Sequence, residues 1–390
     1  SSNQTANQLL VRAAPLSKDA RVGAMGQMVP GPITDKTSGE GCRKDVGLAW
    51  AFSGMQGWRD RMEDAHIALP SLSEAAATSQ QRALWRDTAL FGVMDGHGGE
   101  QVAHFCERYL PVAIAQGSAD DLPGALIAAF HRMDELLFDP TYVSELQSMA
   151  NDFSPVFNMR QANPDCVGCT AVVCCVRPET ITVANAGDSR AVLCRKGIAI
   201  AMSEDHKPNL PVERRRIEQA GGFVMEQRVA GMTHYRVNGN LNLSRSIGDL
   251  NYKQNFTLPP KDQMISCTPD VRTLWRQAGD EFIVIACDGV WDVLSIQEVC
   301  DYVRVRLGDL STVEERLRIG SLRLASIVEG LLDECLSPDL AQTYGLGGDN
   351  MTLVLVVFLG RGAAIAPGRG PFVDSPRAAL NGSTWMCPYK

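Results

Sequence analysis

An α+β fold, with helices covering a sheet core, is the class this sequence predicts. Two observations carry that expectation. Short runs rich in Val, Ile, Leu and Cys recur along the chain, and segments with helical apolar spacing lie between them. Five aspartate-bearing motifs also stand where such a run gives way to glycine or a turn. They are Arg59-Asp60-Arg61-Met62-Glu63-Asp64, Asp95-Gly96-His97-Gly98-Gly99, Asn185-Ala186-Gly187-Asp188, Cys287-Asp288-Gly289-Val290-Trp291-Asp292 and Gly347-Gly348-Asp349-Asn350. A carboxylate at a strand end can point into a cleft while the strand behind it holds it still.

Residues 1–44 are polar and punctuated by Gly and Pro, with one apolar patch at 9–11, and read as a loosely ordered N-terminal arm. Residues 45–361 form one continuous body without a linker-like shift in composition, and 362–390 read as a tail. Strands are expected at 48–55, 88–94, 170–176, 180–184, 191–195, 282–287 and 351–358. The Asn-Ala-Gly-Asp-Ser-Arg segment suggests a hairpin over 180–195. Helices are expected at 99–110, 124–138, 295–305 and 322–335. The second carries Leu126, Phe130, Met133 and Leu137 on one stripe, which suits packing on a sheet. A short helix at 211–220 would put Arg214-Arg215-Arg216 on a solvated face. Segments 73–86, 139–164 and 308–320 read as insertions, either functional loops or solvated decoration.

The 390 residues are 45% hydrophobic and 21% charged, as expected for a globular chain able to bury a large core. A net charge of −8 gives no electrostatic case for nucleic acid or an anionic membrane as partner. No run reaches the ~18 apolar residues of a membrane span. Of the twelve cysteines, Cys174, Cys175, Cys194 and Cys287 sit inside apolar runs as small hydrophobes, and free thiols in a reducing compartment are expected. Cys166-Val167-Gly168-Cys169 has no second pair to make a zinc site.

Several carboxylates converging from strand ends would make an oxygen-only pocket suited to Mg²⁺ or Mn²⁺. Asp95 and the Gly96 carbonyl both offer hard oxygen donors directly after a strand. Glu63 and Asp64 are adjacent, so on a strand they face opposite ways. Asp64 is the expected inner ligand and Glu63 acts through a water; a surface acidic pair is the alternative. Arg59 offers a planar fork for phosphate, with a surface salt bridge as the plainer reading. His97 lies inside an acidic motif, where an imidazole holds its proton more tightly and can donate it to a leaving alkoxide. No nucleophile elbow, P-loop or His-Glu-x-x-His motif competes.

Eight ordered segments together resemble the metal-dependent protein phosphatase family (protein phosphatase type 2C) over roughly residues 45–360. They are Gly57–His66 (as 57–66), 95–99, Gly168-Cys169-Thr170-Ala171, 185–190, Asp205-His206-Lys207-Pro208, Leu243-Ser244-Arg245-Ser246-Ile247-Gly248-Asp249, 286–292 and 348–352. The resemblance implies a four-layer αββα architecture, two antiparallel β-sheets forming a sandwich flanked by helices. It implies two Mg²⁺ or Mn²⁺ ions at one end, with Asp95 bridging them and Asp64, Gly96, Asp288 and Asp349 completing the direct shell. Glu63 would act through water. Asp188 and Asp292 match positions tied in some members to a weaker third metal, although Asp188 also suits a turn. Arg59 matches the phosphate-binding arginine and His97 the general acid. The implied activity is hydrolysis of phosphoserine and phosphothreonine in protein substrates by a water activated between the ions. A monomer located in the cytoplasm or nucleus is expected. Cys169 stands where serine is usual, the Cys267-Thr268-Pro269-Asp270 segment departs from the acidic-proline form, and the stretch 230–237 is longer than typical. A pseudophosphatase that binds without turnover and a hydrolase of small phosphoesters are the rival readings.

Overall fold

The computed structural model describes residues 28–149, 166–229, 232–360 and 373–374. Two six-stranded sheets carry it. The first contains β1 (Met28–Arg43), β2 (Leu48–Arg59), β9 (Arg190–Arg195), β10 (Ile198–Ala201), β15 (Asp280–Ala286) and β16 (Met351–Phe358), in the order β1-β2-β16-β15-β9-β10. The second contains β3 (Ala65–Leu69), β4 (Ala89–Met94), β7 (Ala171–Val176), β8 (Thr180–Ala186), β14 (Asp270–Trp275) and β17 (Val373–Asp374), in the order β17-β14-β8-β7-β4-β3. All their pairings are antiparallel.

Side-chain alternation shows how the layers stack. Along β16, Met351, Leu353, Leu355 and Val357 face the helices Ile296–Leu307 and Leu324–Cys335. Val354, Val356 and Phe358 face the other way and meet Phe91, Val93, Val172 and Ile181 of the second sheet. The outer face of that second sheet, including Leu90, Val173 and Ala184, is covered by the helices Gln101–Gln116 and Leu122–Phe138. Both faces of the central strands are therefore buried, which is why they read as unbroken apolar runs. At about 1.5–3 kcal/mol per large buried side chain, these three clusters dominate folding. The four-layer αββα sandwich expected from the resemblance is what the chain adopts.

The stripe Leu126, Phe130, Met133 and Leu137 is buried against the sheet as its spacing predicts. Asp121 caps that helix by accepting from the Gly124 amide at 3.0 Å. The helix expected to stop at residue 110 runs through Pro111 to Gln116. Losing a backbone hydrogen bond at Pro111 is offset by burying Ile114 and Ala115, and Trp85 Nε1 donates to the Ala115 carbonyl at 2.9 Å.

Three expectations need correcting. Residues 28–43, assigned to the loose arm, form the edge strand β1. Their glycines are covered by the neighbour's rings: a Cβ on Gly39 or Gly41 would sit 2.5 Å from Phe52 or 2.3 Å from Trp50. Residues 1–27 and nearly all of 362–390 lie outside the described residues. The hairpin over 180–195 does not exist, because β8 belongs to one sheet and β9 to the other. The chain crosses between sheets at Gly187, whose φ of 126° no other residue adopts readily. Arg216 is not on a solvated face. Within the helix Pro211–Gln219 its Nη1 pairs with Glu213 Oε2 at 2.5 Å. The segments read as insertions hold short helices, Ser79–Trp85, Val143–Met149 and Val313–Arg318, with Trp85, Leu146 and Val313 buried; 150–165 lie outside the described residues.

Glu213 is the anchor of the loop layer beside the sandwich. It accepts from Arg245 Nη2 at 2.7 Å and from Ser244 Oγ at 2.8 Å. Burial alone would raise its carboxyl, but Arg245 and then Arg216 outweigh it and hold the group at about 2. The folded value lies below the ordinary one near 4.3, so this stabilisation is present above about pH 4.5 and is lost as pH falls through about 2. Glu213→Gln is expected to destabilise the fold by about 3–5 kcal/mol at pH 7, because buried Arg216 loses its counter-charge and Arg245 is left with the exposed Asp270 carboxylate. Urea unfolding of both proteins checks this, and the difference shrinks toward pH 2.

Among the described residues no helix is long and apolar enough to cross a membrane, and the cysteines are free.

Candidate metal centre

Strand register decides which motif residues meet. In the second sheet Ala65 pairs with Met94 and Ala171 with Ala186, so Asp64, Asp95 and Asp188 leave it at the same end. In the first sheet Ala286 pairs with both Leu353 and Arg190, which brings Asp288 and the 349–350 turn to that end too. Oxygens of Asp95, Asp188 and Asp288 lie within 4.8 Å of one another, and Asp64, Asp95 and the Cys287 sulfur form a second such group.

The pocket is held by groups whose roles the motifs did not announce. Asn350 Oδ1 accepts from the Glu63 amide at 2.9 Å, and its Nδ2 donates to the Gln56 and Arg61 carbonyls at 2.8 Å each. One buried amide thus fixes the whole turn from β2 to Asp64. Thr170 Oγ1 accepts from the Asp95 amide at 3.2 Å, and the Thr170 amide donates back to the Asp95 carbonyl at 2.9 Å. Gly96 passes so close that a Cβ there would lie 2.1 Å from the Glu63 carbonyl oxygen. A buried polar residue inside a motif was the available signal for Asn350 and Thr170.

The electrostatics are those of crowded, buried like charges. Burial first, and then Asp288 and Asp64, push the Asp95 carboxyl well above the ordinary carboxylate range. Burial and then Asp188 and Asp349 do the same to Asp288. Asp64 is pushed up to about 7, chiefly by burial. Both of its carboxylate oxygens are buried without a hydrogen-bond partner. An orphaned carboxylate is costly unless a cation meets it. Cys287 offers a soft sulfur, and that sulfur is already engaged, accepting from the Thr352 amide at 3.1 Å and donating to the Asn350 carbonyl at 3.5 Å. The remaining donors are oxygens, which fits a hard divalent cation.

The other candidate residues sit around this cluster. Asp349 is half-buried, with Oδ2 accepting from Arg59 Nη2 at 2.6 Å and Oδ1 from the Asn350 amide at 2.8 Å. Asp188 is paired with Lys207. Glu63 is half-buried and Asp292 lies exposed at the rim, neither within the two convergent groups. Gly96 and His97 form β5 (Gly96–His97), joined to β6 (Gly168–Cys169), which pairs in turn with β13 (Ile247–Gly248). His97 Nε2 lies 2.8 Å from Asp249 Oδ2. Burial pulls the imidazole down, but Asp249 outweighs that and leaves it above its ordinary value.

The family model described as Protein phosphatase 2C matches residues 48–340. "Probable protein phosphatase 2C 3" of Paramecium tetraurelia is 40% identical over 337 residues, covering 85% of this chain and 99% of that protein. "Probable protein phosphatase 2C 11" of Oryza sativa subsp. japonica is 37% identical over 365 residues, covering 86% of this chain and 91% of that protein. The crystal structure of a phosphatase from a pathogenic strain of Toxoplasma gondii superposes with a TM-score of 0.59 at 22% identity, covering 84% of this chain and 97% of that one, and supports the fold. With its motifs on this sandwich and its acidic cluster at one end, the chain belongs to the protein phosphatase 2C family and is a metal-dependent phosphoprotein phosphatase.

Proposed function

We propose that this serine/threonine phosphatase works with two Mg²⁺ or Mn²⁺ ions held by Asp64, Asp95, the Gly96 carbonyl, Asp288 and Asp349. Glu63 acts on the site through water, and Asp188 with Asp292 offers a weaker third position. The observation that carries this reading is the pair of buried, unpartnered Asp64 oxygens beside the Asp95–Asp188–Asp288 convergence. Bound divalent cations supply an activated water and counter-charge for a phosphoryl group whose hydrolysis is otherwise extremely slow.

The chain's own residues do the rest. Arg59 stands at the end of β2, with Asp349 engaging Nη2. Its guanidinium carries five N–H donors, so its fork has donors beyond that contact for phosphate oxygens. His97 donates a proton to the seryl or threonyl oxygen as the P–O bond breaks. Phosphorylated proteins are the substrates, and the chain acts as a monomer inside the cell.

Arg59→Ala is expected to raise KM for a phosphoserine peptide about 10–100-fold, with a smaller change in kcat, as befits a charge-assisted contact to substrate. Steady-state kinetics with Mn²⁺ check it. The reading as a whole is tested by stripping metal with EDTA and restoring Mn²⁺. Phosphopeptide turnover should vanish and return, and full turnover in EDTA would contradict it. Comparing phosphopeptides with phosphorylated metabolites separates a protein phosphatase from a small-phosphoester hydrolase.

A further inference from the structure

We propose that Asp249 is a positioning residue for His97, fixing the ring so that Nε2 is spent on the carboxylate and Nδ1 is left to serve the substrate. The proposal rests on the reading of His97 as general acid. Asp249 lies 152 residues from His97 in sequence, yet its Oδ2 sits 2.8 Å from His97 Nε2.

The carboxylate has a second partner, and the loop that carries it is tied down. Ser246 Oγ donates to the same Oδ2 at 2.5 Å, and the Asp249 amide donates to the Val167 carbonyl at 2.9 Å. Lys253 Nζ, buried beside it, donates to the Ser246 carbonyl at 2.8 Å and to Asp134 Oδ2 at 2.6 Å. Asp134 Oδ1 in turn accepts from the Gly248 amide at 2.9 Å, which ties this loop to the helix Leu122–Phe138 and its apolar cluster. The pair also has space made for it: a Cβ on Gly168 would lie 2.4 Å from Asp249 Oδ2 and 2.7 Å from His97 Nε2. Asp249 is 2% exposed, so water does not compete for the bond. A buried carboxylate held by Ser246 on a loop anchored this way does not follow a rotating imidazole, so the imidazole conforms to it. The arrangement is the general one in which a fixed acid orients a histidine and selects its tautomer.

In the step itself, the water oxygen forms the new P–O bond, its two protons remaining on the inorganic phosphate, and the ester P–O bond breaks. Its electron pair stays on the seryl oxygen, which takes the Nδ1 proton, while Nε2–H stays on Asp249. A misoriented ring withholds that proton. The strongly basic seryl alkoxide then leaves slowly, whereas the weakly basic p-nitrophenolate does not need the proton.

The test compares the Mn²⁺-loaded parent protein, His97→Gln and Asp249→Asn on a phosphoserine peptide and on p-nitrophenyl phosphate. Asn is chosen because residue 249 has φ of 51°, which Asn tolerates well. Both variants should lose about 10²-fold on the phosphopeptide. That loss should exceed the loss on p-nitrophenyl phosphate by about tenfold or more. A leaving-group split in His97→Gln with equal losses in Asp249→Asn overturns the role of Asp249 while sparing that of His97. No split in His97→Gln overturns both. If Asp249→Asn does not fold, Ser246→Ala decides, since it keeps the carboxylate but removes one anchor: a smaller split of the same sense supports the proposal and equal losses reject it.

Discussion

Asp95→Asn lowers phosphopeptide turnover by about 10³-fold or more in saturating Mn²⁺, and it makes the metal-free protein more stable than its parent. The two effects have one cause. Asp95 lies in both convergent groups, with Asp64 on one side and Asp188 and Asp288 on the other. The substitution replaces one carboxylate oxygen by an amide nitrogen and removes the charge, so the residue shared by both groups no longer offers two anionic oxygens to the proposed cations. It also relieves a buried carboxylate that burial and three or more like charges disfavour. Asn keeps the shape, and the backbone bonds to Thr170 are untouched. Turnover assays and thermal melts in EDTA measure both halves. A residue with only a structural role would give the opposite stability change, so a destabilised Asp95→Asn would argue against the metal centre.

The metal-free protein should also lose stability as pH rises from about 4 to about 7. Asp64, Asp95 and Asp288 all bind their protons more tightly in the folded chain than a free carboxyl does. Where the folded state holds more protons than the unfolded one, stability falls with rising pH. The decline begins near the ordinary aspartate value of about 3.9 and, for Asp64, is complete once pH passes about 7. For Asp64 alone a shift of about three units corresponds to on the order of 4 kcal/mol. Mn²⁺ binds the deprotonated form, so it should reverse the trend and make melting temperature rise with pH. Melts across pH in EDTA and in Mn²⁺ separate the two slopes.

Legibility of the fold followed the source of each element's stability. β16 was plain in the sequence because both of its faces are buried and every residue is apolar or Thr. β1 was not, because its Thr-Ser-Gly-Glu-Gly stretch carries no pattern of its own and is covered by Phe52 and Trp50 of its neighbour. The supposed hairpin failed for a related reason. A local turn signal at 185–190 cannot say that the strands on either side join different sheets. The acidic motifs were legible because a carboxylate at a strand end is unusual wherever it occurs. Asn350, Thr170 and Asp249 were present in the motifs without roles, since each works through a partner 75 or more residues away. The Lys207–Asp188 and Arg59–Asp349 pairs were equally hidden, and both show basic side chains already engaging the carboxylate cluster.

Calorimetric titration of Mn²⁺ into metal-free protein at pH 7 tests the convergence of these carboxylates most directly. Saturable binding is expected, lost or greatly weakened in Asp95→Asn and Asp288→Asn. The binding heat should vary with the buffer, because cations displace protons from carboxyls such as Asp64, whose pKa is raised to about 7. Absence of saturable binding, or binding unchanged in both variants, would contradict that convergence.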